Sequence, residues 1–530
     1  MNTTREPYVF QIGFDFGTAY SKCVIRDLNN DDAFVYIPKY AIDDDLPFLF
    51  PSAVHFENGF FSTHLPKSNF LDYEDSALKY LKLALEGIVN GRNKDILDKY
   101  KNCAETFELP TNQFVFLSTV FFLAKSISEI VNYIKLKHND YGTNDSDMLA
   151  INMCIPVYCA NEQQIESIFY KALNYAWIIS KKLYNTEQIS ILELSKLIKQ
   201  AINSCAEVEE YCYIYPEVSA NMHGFIRSRA SKPGTYLFSD TGAGTVDQCI
   251  FIFDKTDGID KVAYISAEVF PLGSSMIERN SLNKFYSIQI SKQDEIISNL
   301  NKLICDIKQK CENIEKEKIN CIIKYLECNK NDTQNQLKFK YILLFILQYI
   351  KENRDLFDTI NNNHSSLKSS THFTNNKLIS INTKLPNTEK KEINIINELL
   401  DLIIESTNEI KTNLSSKTNL NFKKSLQKIP TINNISLIFG GGGNTSTPYE
   451  QGVKYAFYST DNKKLPSSLE LPKPYDLDAE EHWIPRLSVA YGLSFNRFDL
   501  HKTFLPTDIK PLELTYSNIY NKQMTSKDDC

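Results

Sequence analysis

The segment Phe238-Ser239-Asp240-Thr241-Gly242-Ala243-Gly244-Thr245-Val246-Asp247, in the middle of the chain, ends one apolar run and begins another. The second run continues from Gln248 to Phe253, and between the two lie an acidic residue, small residues and a threonine. This pattern predicts a β-hairpin with a glycine-bearing turn. Because glycine has no Cβ, such a turn lets main-chain N–H groups approach a ligand, which suits an anion such as a phosphate.

Two other segments extend this prediction. Ile12-Gly13-Phe14-Asp15-Phe16-Gly17-Thr18 has the same order of apolar run, acid, glycine and threonine, and a second strand follows from Lys22 to Arg26. Ile438-Phe439-Gly440-Gly441-Gly442-Gly443-Asn444 places four glycines after an apolar run. Taken singly, these segments are also typical of an ordinary turn or a flexible loop. Their order in both halves of the chain predicts one nucleotide site in a cleft between two copies of a hairpin unit.

The composition is that of an ordinary globular protein, and a length of 530 residues predicts two to four domains. Lysine and arginine total 58 against 65 acidic residues, a net charge of −7, which argues against a nucleic-acid surface. The 12 cysteines include no CxxC pair, which favours a reduced, cytoplasmic protein. We expect no membrane segment, because the first residues have no apolar core and the longest lipid-like stretch, Tyr341 to Ile350, is short.

Apolar periodicity predicts alternating strands and helices, which indicates an α/β protein with a mixed sheet. Before residue 226 the predicted strands are Val9 to Phe16, Ser21 to Arg26, Phe34 to Pro38 and Met148 to Pro156, with a hairpin turn at Asn58-Gly59. The predicted helices there are Asp75 to Gly87, Asn112 to Leu136 and Asn161 to Lys182.

The second half repeats this plan from Tyr236, with a strand over Lys261 to Val269 and a helix entered through Phe270 to Ser275. The sequence therefore predicts a first lobe over 1–225, a second lobe over 226–495 with a helical insertion over about 285–434, and a tail over 496–530. Within the insertion, helices are predicted over Asp294 to Glu327, Leu337 to Lys351 and Glu392 to Leu414, and a polar loop over Asn361 to Asn387.

The residue types in the two hairpins fit a nucleoside triphosphate. Asp15 and Asp240 can bind a magnesium ion mostly through water, because Mg²⁺ keeps its hydration shell. Thr18, Thr245 and the turn N–H groups can surround phosphates, and the glycine run can lie against adenosine or the α-phosphate. No GxxxxGK[ST] sequence occurs, which disfavours a P-loop enzyme.

The segments IGFDFGTAYS, SDTGAGTVD and IFGGGGNT resemble the phosphate-1, phosphate-2 and adenosine motifs of the actin, sugar-kinase and heat-shock-protein-70 ATPase superfamily. The heat-shock-protein-70 branch is the most similar. Further matches to that branch are Pro51 to Val54, Ile151 to Val157, Tyr215 to Ala220 and Arg486 to Gly492. The resemblance implies an actin-like ATPase fold, with two duplicated ribonuclease H-like lobes around a nucleotide cleft and a helical insertion in the second lobe.

The same resemblance implies roles for individual residues. Asp15 and Asp240 would organise the magnesium ion, Glu217 or Asp247 would position the attacking water, and Lys79 or Lys82 would reach the γ-phosphate. The residues that would contact ATP are Gly17, Thr18, Ala19, Tyr20, Gly242, Ala243, Gly244, Thr245, Gly273, Gly440, Gly441, Gly442, Gly443 and Asn444. Two of these depart from the family pattern, since Ala19 replaces a small polar residue and Asn444 stands near the place of an arginine.

The implied function is that of a Mg²⁺-dependent ATP hydrolase, acting as a nucleotide-dependent conformational switch on a protein partner. Only about 35 residues follow Phe495, so we expect no peptide-binding β-sandwich. Three alternatives stay open at this point. They are an actin-like filament subunit, a kinase or phosphatase of a small molecule, and a protein that binds ATP without hydrolysing it.

Overall fold

The computed structural model describes residues 5–39, 46–63, 77–156, 163–202, 210–228, 231–256, 259–287, 387–428, 435–445, 447–458 and 466–498. The helices predicted over Asp294 to Glu327 and Leu337 to Lys351 lie outside these residues. So do most of the predicted loop over Asn361 to Asn387 and the predicted tail from residue 499 onward.

The strands are β1 (Val9–Asp15), β2 (Tyr20–Asp27), β3 (Asp32–Val35), β4 (Phe50–Pro51), β5 (Val54–Glu57), β6 (Phe60–Ser62), β7 (Ala77–Leu78), β8 (Met148–Ile155), β9 (Gln188–Ser190), β10 (Cys212–Pro216), β11 (Gly234–Thr241), β12 (Val246–Thr256), β13 (Ile259–Phe270), β14 (Ile435–Gly440), β15 (Ser467–Leu469) and β16 (Leu477–Asp478). The α-helices are α1 (Leu81–Asn90), α2 (Lys94–Thr106), α3 (Thr111–Lys137), α4 (Gln163–Ser180), α5 (Ile191–Ile202), α6 (Glu217–Ile226), α7 (Ser275–Tyr286), α8 (Asn387–Lys428), α9 (Thr447–Tyr458) and α10 (Ile484–Leu493).

Two of the described sheets share an order of five strands, and the first has two more, β4 beside β2 and β16 beside β3. In the first, β1, β2 and β3 form an antiparallel meander, and β8 and then β10 add in parallel beside β1. In the second, β11, β12 and β13 form the meander, and β14 and then β15 add in parallel beside β11. The predicted α/β class with mixed sheets is confirmed.

A smaller sheet, in the order β7-β5-β6-β9, lies beside helices α1 to α5. Its β5–β6 hairpin turns at Asn58 and Gly59, as predicted, and both residues have positive φ, 50° and 85°. The helix predicted over Asp75 to Gly87 begins only at Leu81, because Ala77–Leu78 pairs with β5 and Tyr80 has a φ of 61°, outside the helical region. The strand predicted over Phe34 to Pro38 ends at Val35.

Helix α3 confirms the helix predicted over Asn112 to Leu136. By length and composition it is the one helix among the described residues that could cross a membrane, but 83% of its most apolar window is buried inside the protein. Tyr341 to Ile350 is therefore not the longest apolar stretch, and it lies outside the described residues. A helix that is apolar on nearly all sides and covered by neighbours is typical of a protein core.

Helices α6 and α10 lie between the two large sheets. Helix α6 connects β10 of the first sheet to β11 of the second, and α10 contacts β1, β2, β8 and β14. The two helices approach each other closely at Gly492, where an added Cβ would lie 1.8 Å from the carbonyl oxygen of Ala220. A Cβ at Gly13 of β1 would likewise lie 2.1 Å from the carbonyl oxygen of Ala490. These glycines therefore allow α10 to pack closely against α6 and against β1.

Candidate functional site

The first hairpin places a carboxylate and an ammonium side by side at the ends of β1 and β2. Asp15 and Lys22 are partners in the β1–β2 register, and Lys22 Nζ lies 2.5 Å from Asp15 Oδ2. The turn between them requires glycine at position 17, where a Cβ would lie 2.2 Å from the carbonyl oxygen of Tyr20. Lys22 was not among the predicted site residues, although its position opposite Asp15 follows from the hairpin register.

The second hairpin places two carboxylates in the equivalent positions. Asp240 and Asp247 are partners in the β11–β12 register, seven positions apart as Asp15 and Lys22 are. Asp240 Oδ2 accepts a hydrogen bond from Asn221 Nδ2, and Asp247 Oδ2 accepts one from Thr245 Oγ1 at 2.7 Å. Asp247 Oδ1 is buried and has no hydrogen-bond partner in the described structure. The second hairpin is therefore acidic where the first is neutral overall.

The main-chain carbonyl groups of the second hairpin turn accept hydrogen bonds from the segment that follows β13. The carbonyl oxygens of Gly242, Ala243 and Gly244 accept hydrogen bonds from the amides of residues 274, 275 and 273, at 3.0, 2.9 and 3.2 Å. In a trans peptide the N–H of the next residue points the opposite way. The N–H groups of residues 243 to 245 therefore point away from this segment. Successive N–H groups in such a turn form a concavity that binds anions.

The two hairpin turns meet each other. A Cβ added at Gly244 would lie 2.9 Å from Thr18 Oγ1 and 3.2 Å from a methyl carbon of Leu83. Thr18 is buried, with 8% of its surface exposed. The structure thus brings together Thr18 and Gly244, the predicted phosphate contacts of the two halves, although 226 positions of sequence separate them.

Lys82 pairs with the predicted water-positioning residue Glu217. Lys82 Nζ lies 2.6 Å from Glu217 Oε2, and 5% and 14% of the two side chains are exposed. Lys79 precedes α1, and its main-chain carbonyl accepts a hydrogen bond from Tyr100. Of the two predicted lysines, Lys82 is therefore the one that pairs with an acidic side chain predicted for the site.

The glycine run lies directly on the second hairpin, since Gly440 is the register partner of Asp240. Gly441 has a φ of 82°, and a Cβ there would lie 2.1 Å from Asp240 Oδ1. A Cβ at Gly443 would lie 2.3 Å from Thr241 Cγ2. At Gly442 the nearest atom would be Arg486 Nε, at 3.4 Å. A Cβ at Gly440 would meet the Phe238 ring. Gly440, Gly441 and Gly443 are therefore required by packing within the protein, whereas Gly442 has the most space around it.

The other predicted contacts occupy the edges of the site. The carbonyl oxygen of Ala19 accepts a hydrogen bond from the amide of Ser52, and Tyr20 begins β2 with 43% of its surface exposed. A Cβ at Gly273 would lie 2.3 Å from the carbonyl oxygen of Ala243, so Gly273 packs behind the second turn. Asn444 lies in a 3-10 helix, Gly442–Thr445.

Burial changes the acidity of the second hairpin. Burial, with the nearby Glu217 carboxylate, raises the pKa of Asp240 to about 7, although Lys22 and the hydrogen bond from Asn221 act in the opposite direction. Burial and Glu217 also raise the pKa of Asp247 well above its ordinary value. Both carboxyl groups are therefore held back from ionising near neutral pH, as expected where like charges share a buried site.

The two buried lysines stay charged. Burial lowers the pKa of Lys22, but Asp15, Asp240 and Glu217 together outweigh burial, and the net pKa is raised. Burial acts on Lys82 in the same way, and Glu217, Cys154 and Asp15 together outweigh it, so the pKa of Lys82 is raised well above its usual value. Two ammonium groups therefore face the carboxyl groups of the two hairpins and α6.

These residues fit a hydrated divalent cation. The buried, unpartnered Asp247 Oδ1 and the raised pKa values of Asp240 and Asp247 show a deficit of positive charge at the second hairpin. Among the described residues, no group of three or more His, Cys, Asp or Glu side chains is arranged to hold a metal ion directly. An ion held mainly through its own water shell is compatible with both facts.

Several contacts at the site were not predicted from the sequence. The Cys154 thiol lies 3.4 Å from Asp15 Oδ1, Asn221 donates to Asp240, and Ser488 Oγ donates to Asn221 Oδ1 at 2.5 Å. Arg486 Nη2 donates to the carbonyl oxygen of Gly442 at 3.4 Å. These residues come from β8, α6 and α10; Cys154, Arg486 and Ser488 lie in segments that resemble the family, but the resemblance implies no role for their side chains.

Comparison with known proteins adds no family. No protein-family model matches the chain, and no curated protein is significantly similar to it in sequence.

Proposed function

We propose that this protein binds Mg²⁺-ATP beside the place where the two hairpin turns meet and hydrolyses it, as an actin-like ATPase of the heat-shock-protein-70 type. The single observation that carries the proposal is the close approach of Thr18 to Gly244, which brings together two glycine turns, each bordered by ionisable side chains. The shared strand order of the two large sheets supports an arrangement of two ribonuclease H-like lobes.

Each part of the site has a distinct task in this proposal. The N–H groups of residues 243 to 245 bind phosphate oxygens, and Lys22 and Lys82 supply positive charge beside them. Glu217 and Asp247 orient a water molecule for attack on the terminal phosphate. A bound magnesium ion, held through its waters by Asp15 and Asp240, supplies further neutralisation of phosphate charge. Gly442, the least crowded glycine of its run, faces the adenosine or the α-phosphate.

The output that we propose is a conformational switch acting on a protein partner in the cytoplasm. Helices α6 and α10 link the lobes that would close on the nucleotide, so closure would change their crossing. No disulfide joins Cys23, Cys103, Cys154 or Cys249 in the part of the chain that the structure describes, which is compatible with the proposed reduced compartment.

Direct binding measurements test the proposal. We expect ATP with Mg²⁺ to raise the melting temperature by several degrees, and ATP with EDTA to raise it less. Mass spectrometry of the freshly purified protein is expected to detect bound ADP or ATP. The proposed site would be refuted if millimolar Mg²⁺-ATP neither changed the melting temperature nor gave a heat of binding in calorimetry. Sedimentation with ATP separates a switch from a filament, since a filament subunit pellets.

Lys82 and Lys79 provide a matched pair of variants. Lys82→Met leaves Glu217 without its partner and removes a buried positive charge, so we expect ATP hydrolysis to fall by about 10²- to 10³-fold. Lys79→Met is expected to change it by less than about threefold. Phosphate-release assays on both proteins, with far-UV circular dichroism as a check of folding, measure the difference. Equal rates in the two variants would contradict the assignment of Lys82.

The raised pKa of Asp240 predicts a pH dependence for the metal. Below pH 7 a proton occupies the carboxyl group and competes with the cation, whereas at pH 8 the carboxylate is free to act. The Mg²⁺ concentration that gives half of the nucleotide stabilisation should therefore fall by about tenfold between pH 6 and pH 8. Titrations of ATP alone with Mg²⁺ at each pH correct for the nucleotide's own protonation. A constant Mg²⁺ requirement after that correction would speak against a role for Asp240.

A further inference from the structure

A buried chain of hydrogen bonds leads from α10 through α6 to the second hairpin. Ser488 Oγ donates to Asn221 Oδ1 at 2.5 Å, and Asn221 Nδ2 donates to Asp240 Oδ2. All three residues are buried, with 7%, 0% and 3% of their surfaces exposed. The chain therefore joins three segments of the protein in an interior where each bond is shielded from water.

The order of donors and acceptors in this chain fixes the orientation of the Asn221 amide. The ionised Asp240 carboxylate only accepts, so Nδ2 faces it, and Oδ1 on the other side of the amide accepts the hydrogen bond from the Ser488 hydroxyl. In the flipped orientation, the amide oxygen would lie against a carboxylate oxygen, which is unfavourable for two acceptors in a buried site. Ser488 thus acts on Asp240 through Asn221 without touching the carboxylate.

The bond from Ser488 to Asn221 crosses the contact of the two linking helices. Gly492 lies one turn after Ser488, and its approach to Ala220 leaves no room for a side chain. Helix α6 leads from the first sheet into the second, and α10 contacts strands of both. A change in the crossing of these helices would therefore alter the Ser488–Asn221 bond, and with it the position of the Asn221 amide beside Asp240.

We propose that Asn221 is a positioning residue that, oriented by Ser488, sets how the Asp240 carboxylate is presented to Mg²⁺-nucleotide and couples it to the crossing of α6 and α10. This rests on the proposed function, because it assigns to Asp240 a role toward the metal. The side chain of Asn221 touches neither nucleotide nor the reacting atoms in this proposal. Its effect is on geometry, and it is transmitted from a helix contact to a strand end.

The test compares the Mg²⁺ requirement of a small set of variants. The measurement is the Mg²⁺ concentration at half of the thermal stabilisation by ATP, with ATP concentration fixed. Asn221→Ala is expected to raise it by about 10- to 100-fold, the usual effect of removing a residue that orients a metal-binding group. Ser488→Ala is expected to raise it by about three- to tenfold, and Ser488→Thr, which keeps the hydroxyl, by less than about twofold.

Two controls distinguish coupling from general damage. Ser219→Ala removes a buried hydroxyl from α6 that accepts a hydrogen bond from Tyr264 of β13 at 3.0 Å and is not part of the chain from Ser488 to Asp240, so the Mg²⁺ requirement should stay within about twofold of wild type. In the double variant Asn221→Ala with Ser488→Ala, the requirement should equal that of Asn221→Ala alone, because Ser488 acts only through Asn221.

The outcomes separate this proposal from the proposed function. If the wild type shows no stabilisation by Mg²⁺-ATP, the proposed function fails first. If the wild type is stabilised but Asn221→Ala and Ser219→Ala behave alike, the positioning role is wrong and the nucleotide site stands. Additive effects in the double variant would also overturn it. Where Asn221→Ala does not fold, Ser488→Ala against Ser488→Thr decides, and equal requirements for those two would overturn it.

Discussion

Asp240→Asn is expected to make the folded protein more stable at pH 8 while abolishing its Mg²⁺-dependent binding of ATP. Burial and the Glu217 carboxylate raise the pKa of Asp240 from an ordinary value of 3.8 to about 7. Above pH 7 the folded protein therefore carries a charged Asp240 side chain in its interior. In the unfolded chain the same carboxylate is in water, where its charge costs little. Asparagine keeps the shape and can accept the hydrogen bond from Asn221, but it has no charge to bury.

The sign of the effect follows from proton linkage. Between pH 4 and pH 7 the folded state holds a proton that the unfolded state has lost, so the contribution of Asp240 to stability falls as the pH rises through this window. The stability advantage of Asp240→Asn should be near zero at pH 4 and reach roughly 2 to 4 kcal/mol at pH 8. Urea unfolding at both pH values measures it.

Controls make this result specific. Asp145→Asn, at an exposed position, should leave both stability and ATP binding unchanged. Calorimetric titration of Asp240→Asn with Mg²⁺-ATP is expected to show no heat beyond dilution. A variant that is less stable than wild type at pH 8, or that binds Mg²⁺-ATP normally, would show that the Asp240 carboxylate does not have the buried, metal-facing role assigned to it.

Gly441→Ala is expected to destabilise the protein by at least about 2 kcal/mol, because position 441 has a φ of 82° and its new Cβ would meet Asp240 Oδ1 at 2.1 Å. The carbonyl oxygen of Thr241, at 2.5 Å, closes the other side, so the loop must move. Thermal unfolding without nucleotide measures the loss. A melting temperature within one degree of wild type would contradict this packing of the glycine run on the second hairpin.

Gly442→Ala is the matched variant in the same run. Its nearest neighbour, Arg486 Nε, would lie at 3.4 Å, an ordinary contact, so we expect stability within about 1 kcal/mol of wild type. Since Gly442 is the glycine with space beside it, its Cβ should instead weaken ATP binding, by about tenfold. An unchanged affinity for ATP in this variant would contradict the proposal that the adenosine lies beside Gly442.

The two hairpins were predictable because their geometry is local. Strand, acid, small residues and strand follow each other within about ten positions, and the observed registers pair residues seven apart. The pairing of Asp15 with Lys22 follows from the same local register, although Lys22 lies in the strand after the turn and outside the acid-glycine-threonine pattern. The sequence predicts that the glycine run offers bare main chain to a ligand. The structure shows in addition that most of these glycines are required because the run packs against Asp240 and Thr241.

The linking helices show the limit of local pattern. Helix α10 contains Arg486 to Gly492, a segment that resembles the family, but nothing in that segment indicates its contact with α6. Contacts of this kind depend on which helix faces meet and at what angle, and those are set by packing across the whole interior.

The amino-acid sequence by itself determined the α/β class, the two acidic glycine hairpins and the order of residues within each turn, because neighbours along the chain decide hairpin geometry. Only the tertiary structure decided that Lys82 rather than Lys79 pairs with Glu217, and that Ser488 orients Asn221 toward Asp240. Lys82 and Glu217 lie 135 positions apart, and Asn221 and Ser488 lie 267 apart. Over such separations a side chain finds its partner through the packing of helices and sheets, which no short motif records.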